Sequence, residues 1–141
     1  MGHATGHGMP AALVMATTRG MLRAVGQSRE SPGKVLARVN DALVADVPPS
    51  TFVTCFNGIL DPESGRFVYA NAGHNLPCRR HNGQTDEMRA RGMPLGLMPS
   101  IGYEEKDTIL TPGDNIVIYS DGLVEAHDPS ARCLAFRGLQ Q

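Results

Sequence analysis

The spacing of apolar residues predicts two amphipathic helices at the start of the chain. From Pro10 to Val25 they recur with the 3.6-residue helical period, and Pro10 suits the first helical position. A second helix begins with Ser31 as N-cap and Pro32 in its first turn, and prolines at 48 and 49 end it. The predicted core-facing positions are Ala11, Val14, Met15, Thr18, Met21, Leu22 and Val25 in the first helix, and Val35, Leu36, Val39, Ala42 and Leu43 in the second.

From residue 51 onward the pattern changes to that of short strands. Residues 51–60 and 66–72 are rich in β-branched and aromatic side chains, and the segment 61–65 between them has turn chemistry, so the pair is typical of a hairpin. A short strand over 76–81 leads into Asn82-Gly83, the strongest two-residue hairpin signal.

The remaining segments complete an antiparallel meander of about six strands. Residues 92–97 form an apolar loop too rich in glycine and proline for regular structure, and the charged run 103–110 predicts an exposed edge strand. The uninterrupted apolar run 116–119 predicts a strand that is covered on both faces. Two helices followed by these strands predict one α+β domain, with helices packed on a sheet, over residues 1–141.

Composition excludes several classes of protein. A net charge of −1 carries no electrostatic footprint for nucleic acid or an anionic membrane, and Arg79-Arg80 is expected to be solvated surface. No apolar run approaches the roughly 20 residues that span a bilayer, and the start of the chain is not an export signal. The three cysteines (Cys55, Cys78, Cys133) are expected to be reduced, small buried hydrophobes, so we expect a cytoplasmic protein without a disulfide framework.

Three short segments could carry chemistry. In Thr5-Gly6-His7-Gly8 the glycines and the free N–H groups of the following helix favour an anion such as phosphate, or the segment is simply a glycine-rich lead into the helix. Ser120-Asp121-Gly122 offers a metal-ligating carboxylate at a strand end, or an ordinary turn. In Ala72-Gly73-His74-Asn75 the polar pair either serves a site or closes a turn, and we favour the turn.

Taken together and in order, five segments resemble the PPM-type metal-dependent serine/threonine phosphatases, in the branch of the sporulation stage II E and sigma-B-regulator phosphatases. The resemblance covers residues 2 to about 138, and it implies a four-layer antiparallel β-sandwich flanked by helices, here truncated at both ends. The segments are 2–13, Thr51-Phe52-Val53-Thr54, Tyr69-Ala70-Asn71-Ala72-Gly73-His74-Asn75, Pro94-Leu95-Gly96 and Tyr119-Ser120-Asp121-Gly122.

The resemblance also implies a chemistry and a set of site residues. Two Mn²⁺ or Mg²⁺ ions would activate water to attack phosphoserine or phosphothreonine. Asp121 matches a metal-ligand aspartate, the backbone carbonyl of Ala4 falls at a main-chain ligand, and His3 stands at the family's aspartate position. The residues expected near the phosphate are Gly6, His7, Gly8 and Gly122.

Two function hypotheses follow from the resemblance. The first is dephosphorylation of a regulatory protein such as an anti-sigma-factor antagonist. Weak or absent catalysis is expected, because His3 replaces a carboxylate and two further acidic segments of the family are missing. The second is a degenerate phosphatase fold that acts as a binding or assembly module, including self-association through uncovered sheet edges. A third possibility accounts for His3 differently: Met1 is an incorrect or engineered start, and His3 is an artefact of it.

Overall fold

The computed structural model describes residues 1–48 and 51–120 of the 141-residue chain. The two helices, followed by six strands, are confirmed, and so is the α+β class with antiparallel sheets. A short strand ahead of the first helix was not predicted. The elements are β1 (Gly2–Ala4), α1 (Gly8–Gly26), α2 (Pro32–Asp46), β2 (Val53–Leu60), β3 (Arg66–Ala72), β4 (Cys78–His81), β5 (Gln84–Glu87), β6 (Glu105–Ile109) and β7 (Asn115–Val117).

The chain divides into two compact units, and the first comprises Met1–His74 with Ala90–Leu110. It contains both helices and a four-stranded sheet in the order β1-β2-β3-β6, in which every neighbouring pair is antiparallel. β6 lies at one end of that order and is largely exposed, so the predicted edge strand is confirmed.

Within the described residues, the second unit comprises Asn75–Arg89 and 111–120, and its sheet has the order β5-β4-β7. The hairpin at Asn82-Gly83 is confirmed, with φ angles of 48° and 78° that match a type I′ turn. The prediction that residues 116–119 form a strand covered on both faces is wrong. β7 ends at Val117, which is 37% exposed, because the strand pairs with β4 at one end of the sheet order and an apolar run alone does not reveal its neighbours.

α2 supplies most of the helical part of the core in the first unit. Leu36, Val39 and Leu43 are fully buried, together with β-sheet residues of β2 and β3. Ala42, which was predicted to face the core, is exposed. Asn40 is buried instead: its Nδ2 donates to the Met98 carbonyl at 2.8 Å and its Oδ1 accepts from the Gly96 N–H at 3.0 Å. A polar side chain can take a core position when both its donor and its acceptor are satisfied.

α1 uses the face that its periodicity predicts. Thr18 is its one buried residue, and the other predicted positions pack partly buried against the core. The helix begins at Gly8, so Pro10 occupies its third position, still within the first turn where a missing N–H costs no helical hydrogen bond. Neither α1 nor α2 is long and apolar enough to cross a membrane.

Candidate functional site

Three strand termini meet at one end of the four-stranded sheet. Ala4 at the end of β1 lies opposite Val53 at the start of β2, and Cys55 of β2 lies opposite Ala72 at the end of β3. Because the pairs are antiparallel, the chain leaves β1, enters β2 and leaves β3 at the same end. We call this the motif end of the sheet, since three of the five segments that carry the resemblance reach it.

A fourth segment, Pro94-Leu95-Gly96, lies there as well. Leu95 and Val53 exchange backbone hydrogen bonds of 2.9 and 2.8 Å. Gly73 has a φ of +65°, and a Cβ placed on it would lie 2.7 Å from the Pro94 ring. Any other residue at position 73 would therefore need a left-handed backbone conformation, and its Cβ would displace the proline ring.

The turn after β3 is closed by Asn71. Its Oδ1 accepts from the His74 N–H at 2.7 Å and its Nδ2 donates to the His74 carbonyl at 2.9 Å. The preference for a turn in this segment is therefore confirmed, although the capping side chain is Asn71 rather than a residue of the turn itself. Sequence reasoning missed that role, even though Asn71 stands within the quoted segment.

The buried ring of His74 joins the turn to β2. Its Nδ1 lies 3.0 Å from Thr54 Oγ1, and that hydroxyl donates in turn to the His3 carbonyl at 3.3 Å. Since a hydroxyl has one proton to donate, His74 Nδ1 carries the hydrogen of its bond to Thr54. This chain of hydrogen bonds ties three strands together at the motif end.

The two candidate ligands of β1 lie in different settings. His3 is exposed and Ala4 is buried. Thr5 and Met1 bond across to β2, the Thr5 N–H donating to the Phe52 carbonyl at 3.0 Å. Because hydrogen-bonding positions alternate along an antiparallel pair, the carbonyl of Ala4 faces away from β2.

The loop between β1 and α1 is open. Gly6 and Gly8 have φ angles of +88° and +75°, and no atom lies within 4 Å of a Cβ placed on either. The glycines are therefore required by backbone conformation. His7 is the exposed N-cap of α1, makes no side-chain capping bond, and no acidic residue lies in the first helical turn. Such a helix start is suited to an anion.

The residues that the structure describes supply only part of the ligand set that a two-metal centre needs. His3 offers one imidazole lone pair and Ala4 one carbonyl oxygen, whereas hard divalent ions take several oxygen ligands. Over residues 1–48 and 51–120 there is no cluster of three or more His, Cys, Asp or Glu side chains that could hold a metal. Asp121 and Gly122 lie outside the described residues.

A buried carboxylate in the second unit was missed by sequence reasoning. Asp114 accepts from Arg79 and His81 at 2.6 Å each and from the Thr111 N–H at 3.0 Å, and its side chain is 5% exposed. The Thr111 N–H, with Arg79 and His81, holds the pKa of this carboxyl far below its usual range. The expectation that Arg79 is solvated surface is wrong, since its side chain is 18% exposed and paired with Asp114.

Comparison with known proteins places the chain among phosphatases. The family description "Stage II sporulation protein E (SpoIIE)" matches residues 1–141. The chain is 30% identical over 122 residues to the phosphoserine phosphatase RsbU of Bacillus subtilis, a match that covers 85% of this chain and 36% of RsbU.

Two solved structures share its fold. The structure of the RsbU and RsbW domains of Rv1364c from Mycobacterium tuberculosis has a TM-score of 0.77 and 31% identity, covering 89% of this chain and 36% of that one. The SiaA-PP2C domain of Pseudomonas aeruginosa has a TM-score of 0.81 over 99% of this chain and 56% of that one, at 18% identity. The chain thus spans about a third of RsbU, 36% of its length.

Proposed function

Because this chain belongs to the stage II sporulation protein E (SpoIIE) family, a branch of the PPM-type serine/threonine phosphatases, we propose that it removes phosphate from phosphoserine or phosphothreonine on a regulatory protein. The observation that carries the proposal is the convergence of four of the five segments at the motif end. Val53 bonds there to Leu95, Thr54 bonds to His74, and Gly73 lies against Pro94. The tertiary fold therefore brings these segments, which are far apart in the sequence, to one end of the sheet.

We propose Mn²⁺ or Mg²⁺ as the cofactor, held by Asp121 and the carbonyl of Ala4, with His3 at the position where the family has an aspartate. Such ions, when bound, polarise phosphoryl oxygens and supply a nucleophilic water. The open loop Gly6-His7-Gly8 and the start of α1 offer backbone N–H groups to a phosphate nearby.

Catalysis by this chain is proposed to be impaired. A carboxylate can bridge two cations through its two oxygens, whereas a neutral imidazole binds one ion through one nitrogen and suits softer metals. With His3 at this position, the proposed centre would lack one carboxylate ligand. Within residues 1–48 and 51–120 no acidic cluster replaces that carboxylate.

Phosphate release from a phosphoserine peptide, measured with and without Mn²⁺, tests both parts of the proposal. We expect slow, metal-dependent release by the native sequence and at least a ~10-fold increase for His3→Asp, equivalent to ~1.4 kcal/mol of transition-state stabilisation. His3→Asn is the matched control, because it has nearly the same shape without the charge. Rapid release by the native chain would contradict the impairment, and no release by either the native chain or His3→Asp would contradict the phosphatase assignment.

The natural substrate is proposed to be a phosphorylated regulator such as an anti-sigma-factor antagonist. The support is the identity with RsbU and with the mycobacterial chain that carries RsbU and RsbW domains. Comparing release from the phosphorylated antagonist with release from an unrelated phosphoprotein tests this choice, and equal rates for the two would count against it.

The alternative function is a binding or assembly module that has lost its metal centre. It is favoured by His3 and by the absence of an acidic cluster in the described part of the chain. Calorimetry with Mn²⁺ separates the two functions. Tight binding that Asp121→Asn abolishes supports the enzyme, and no heat of binding for the native chain supports the module.

A further inference from the structure

The peptide planes on the two sides of Ala4 are each held by hydrogen bonds to β2. On one side, Thr54 Oγ1 donates to the His3 carbonyl at 3.3 Å. On the other side, the Thr5 N–H donates to the Phe52 carbonyl at 3.0 Å. Because a trans peptide unit is planar, the Ala4 carbonyl points opposite to that N–H and therefore away from β2. The orientation of the Ala4 carbonyl thus depends on both planes.

The two planes are reinforced in different ways. Thr5 Oγ1 donates to the Phe52 carbonyl at 3.2 Å and accepts from the Phe52 N–H at 3.1 Å, so the plane after Ala4 is fixed within one residue pair. The plane before Ala4 is held by the β1–β2 ladder and by the Thr54 hydroxyl, which can rotate unless a partner fixes it. Since β1 has only three residues, each bond that a side chain adds to its short ladder matters for its position.

His74 fixes the direction of the Thr54 hydroxyl. Its Nδ1 lies 3.0 Å from Thr54 Oγ1. When Nδ1 donates its hydrogen to that oxygen, the single proton of the hydroxyl is left for the His3 carbonyl. The His74 residue is only 5% exposed, and hydrogen bonds are electrostatically stronger in such a medium of low dielectric constant than in water.

The position of His74 is itself set by groups that belong to neither β1 nor β2. Asn71 of β3 binds both backbone groups of His74, at 2.7 and 2.9 Å. The adjacent Gly73 lies against the Pro94 ring. His74 therefore belongs to the frame that β3 and the Pro94 segment form, and it can act as a fixed reference for the short strand β1.

We propose that His74 is a positioning residue for the metal-dependent reaction proposed above, a role that rests on that proposed function. Through the Thr54 hydroxyl, His74 holds the peptide plane before Ala4 and so keeps the Ala4 carbonyl directed away from β2. In that orientation the carbonyl is available as one of the hard oxygen ligands that Mn²⁺ and Mg²⁺ accept. Removing a group that orients a metal ligand through a hydrogen bond typically weakens metal affinity about 10–100-fold.

Isothermal titration calorimetry of the full chain with Mn²⁺ tests the proposal. His74→Phe keeps a ring but cannot bond to Thr54, and it is expected to weaken Mn²⁺ binding at least ~10-fold. His74→Asn carries its amide on the same Cγ atom that carries Nδ1, so it should recover most of the lost affinity. His74→Gln, whose amide lies one carbon further out, is the matched control and should recover less.

A general loss of stability is separated from positioning by a control at the other end of the sheet. Phe67 of β3 lies opposite Leu60 and packs against Phe56 and Tyr69, with ring centroids 6.4 and 5.9 Å away. Phe67→Ala should therefore lower the stability of the same unit and leave Mn²⁺ affinity unchanged. Circular dichroism verifies that each variant is folded.

Two further readouts test the route through Thr54. In the Thr54→Val background, His74→Phe should weaken Mn²⁺ binding no further, because both substitutions remove the same bond. In the metal-free chain, the carbonyl carbon NMR signals of His3 and Ala4 should shift in His74→Phe and return toward their native positions in His74→Asn. Phe67→Ala should shift neither signal.

The outcomes distinguish this role from the proposed function. Equal Mn²⁺ affinities of the native chain and His74→Phe overturn the positioning role and leave the phosphatase function standing. Additive losses in the double variant also overturn it, since His74 would then act by another route. If the native chain binds no Mn²⁺, the proposed function is contradicted, and the carbonyl signals of the metal-free chain decide the rest: unchanged signals in His74→Phe overturn the orientation of β1 by His74.

Discussion

The imidazole of His74 lies with its Nδ1 3.0 Å from the hydroxyl of Thr54, although the two residues are 20 positions apart in the chain. This bond links the turn after β3 to the first residues of β2. The same hydroxyl also donates a hydrogen bond to the carbonyl of His3. The motif end is therefore held by a polar network as well as by apolar packing.

Removing the hydroxyl tests that network. Thr54→Val keeps the side-chain shape but leaves the buried His74 without this bond, so we expect a loss of about 1–3 kcal/mol in the free energy of unfolding. Thr54→Ser retains the hydroxyl and should lose less. Urea denaturation measures both. A loss for Thr54→Val that is no larger than the loss for Thr54→Ser would mean that the hydrogen bond contributes no more than the methyl group that serine lacks.

Gly73→Ala tests the contact between the turn and Pro94. The left-handed backbone costs an alanine about 1–2 kcal/mol, and the added Cβ would also meet the Pro94 ring. Gly6→Ala is the control in the same unit, since Gly6 also has a positive φ but has open space around it. We expect the larger loss of thermal stability for Gly73→Ala. If the two losses are the same, the Pro94 contact has no energetic importance.

The phase of α2 can be tested with two substitutions. Asn40→Leu removes the bonds to Gly96 and Met98 from a buried position and should cost about 2–3 kcal/mol, because two backbone groups lose their partners. Ala42→Lys adds a charge at an exposed position and should change stability by less than about 0.5 kcal/mol. Chemical denaturation checks the pair, and the reverse order of effects would place Ala42 in the core.

Acid should weaken the second unit through Asp114. Its pKa is lowered in the folded protein, mainly by the Thr111 N–H, so its contribution is complete above the unfolded-state pKa of about 3.9 and declines as pH falls below it. We expect Asp114→Asn to be less stable than the native chain at pH 7, with the difference shrinking between about pH 4 and pH 2.

Denaturation midpoints of the native chain and Asp114→Asn across that range supply the measurement. The carboxylates that titrate elsewhere are common to both proteins and cancel in the difference. Arg79 and His81 are the charged or titratable groups that bond to Asp114, and His81→Gln repeats the comparison without the imidazole. A stability difference that is independent of pH would show that the ionised carboxylate of Asp114 does not contribute to the stability of the folded state.

The hydroxyl of Tyr103 should ionise at a higher pH than that of an ordinary tyrosine. Burial, followed by the nearby Asp41 and Cys55, raises the pKa of its hydroxyl to about 12. Since that hydroxyl has no hydrogen-bond partner among the described residues, Tyr103→Phe is expected to preserve stability or raise it. Ultraviolet absorbance during an alkaline titration follows the ionisation. The step near pH 12 should disappear in the Phe variant, and its persistence would assign that step to another tyrosine.

The amino-acid sequence by itself determined the features that depend on neighbouring residues. The 3.6-residue period located the buried face of α1, the hairpin at Asn82-Gly83 followed from two residues that accept positive φ, and the charges of 103–110 identified an edge strand. The order of short segments also sufficed for the family. Each of these signals is complete within a few consecutive positions, or within their spacing along the chain.

Only the tertiary structure decided which residues became partners across long separations. Asn40 took a core position because Gly96 and Met98, more than 50 residues away, satisfy its amide. Asp114, which the sequence places in a turn, accepts a hydrogen bond from Arg79, 35 residues earlier. Whether a polar side chain is buried depends on whether distant groups complete its hydrogen bonds, and no local pattern records that. The same reason explains why His74 and Thr54 were recognised only as members of separate segments, and not as a bonded pair.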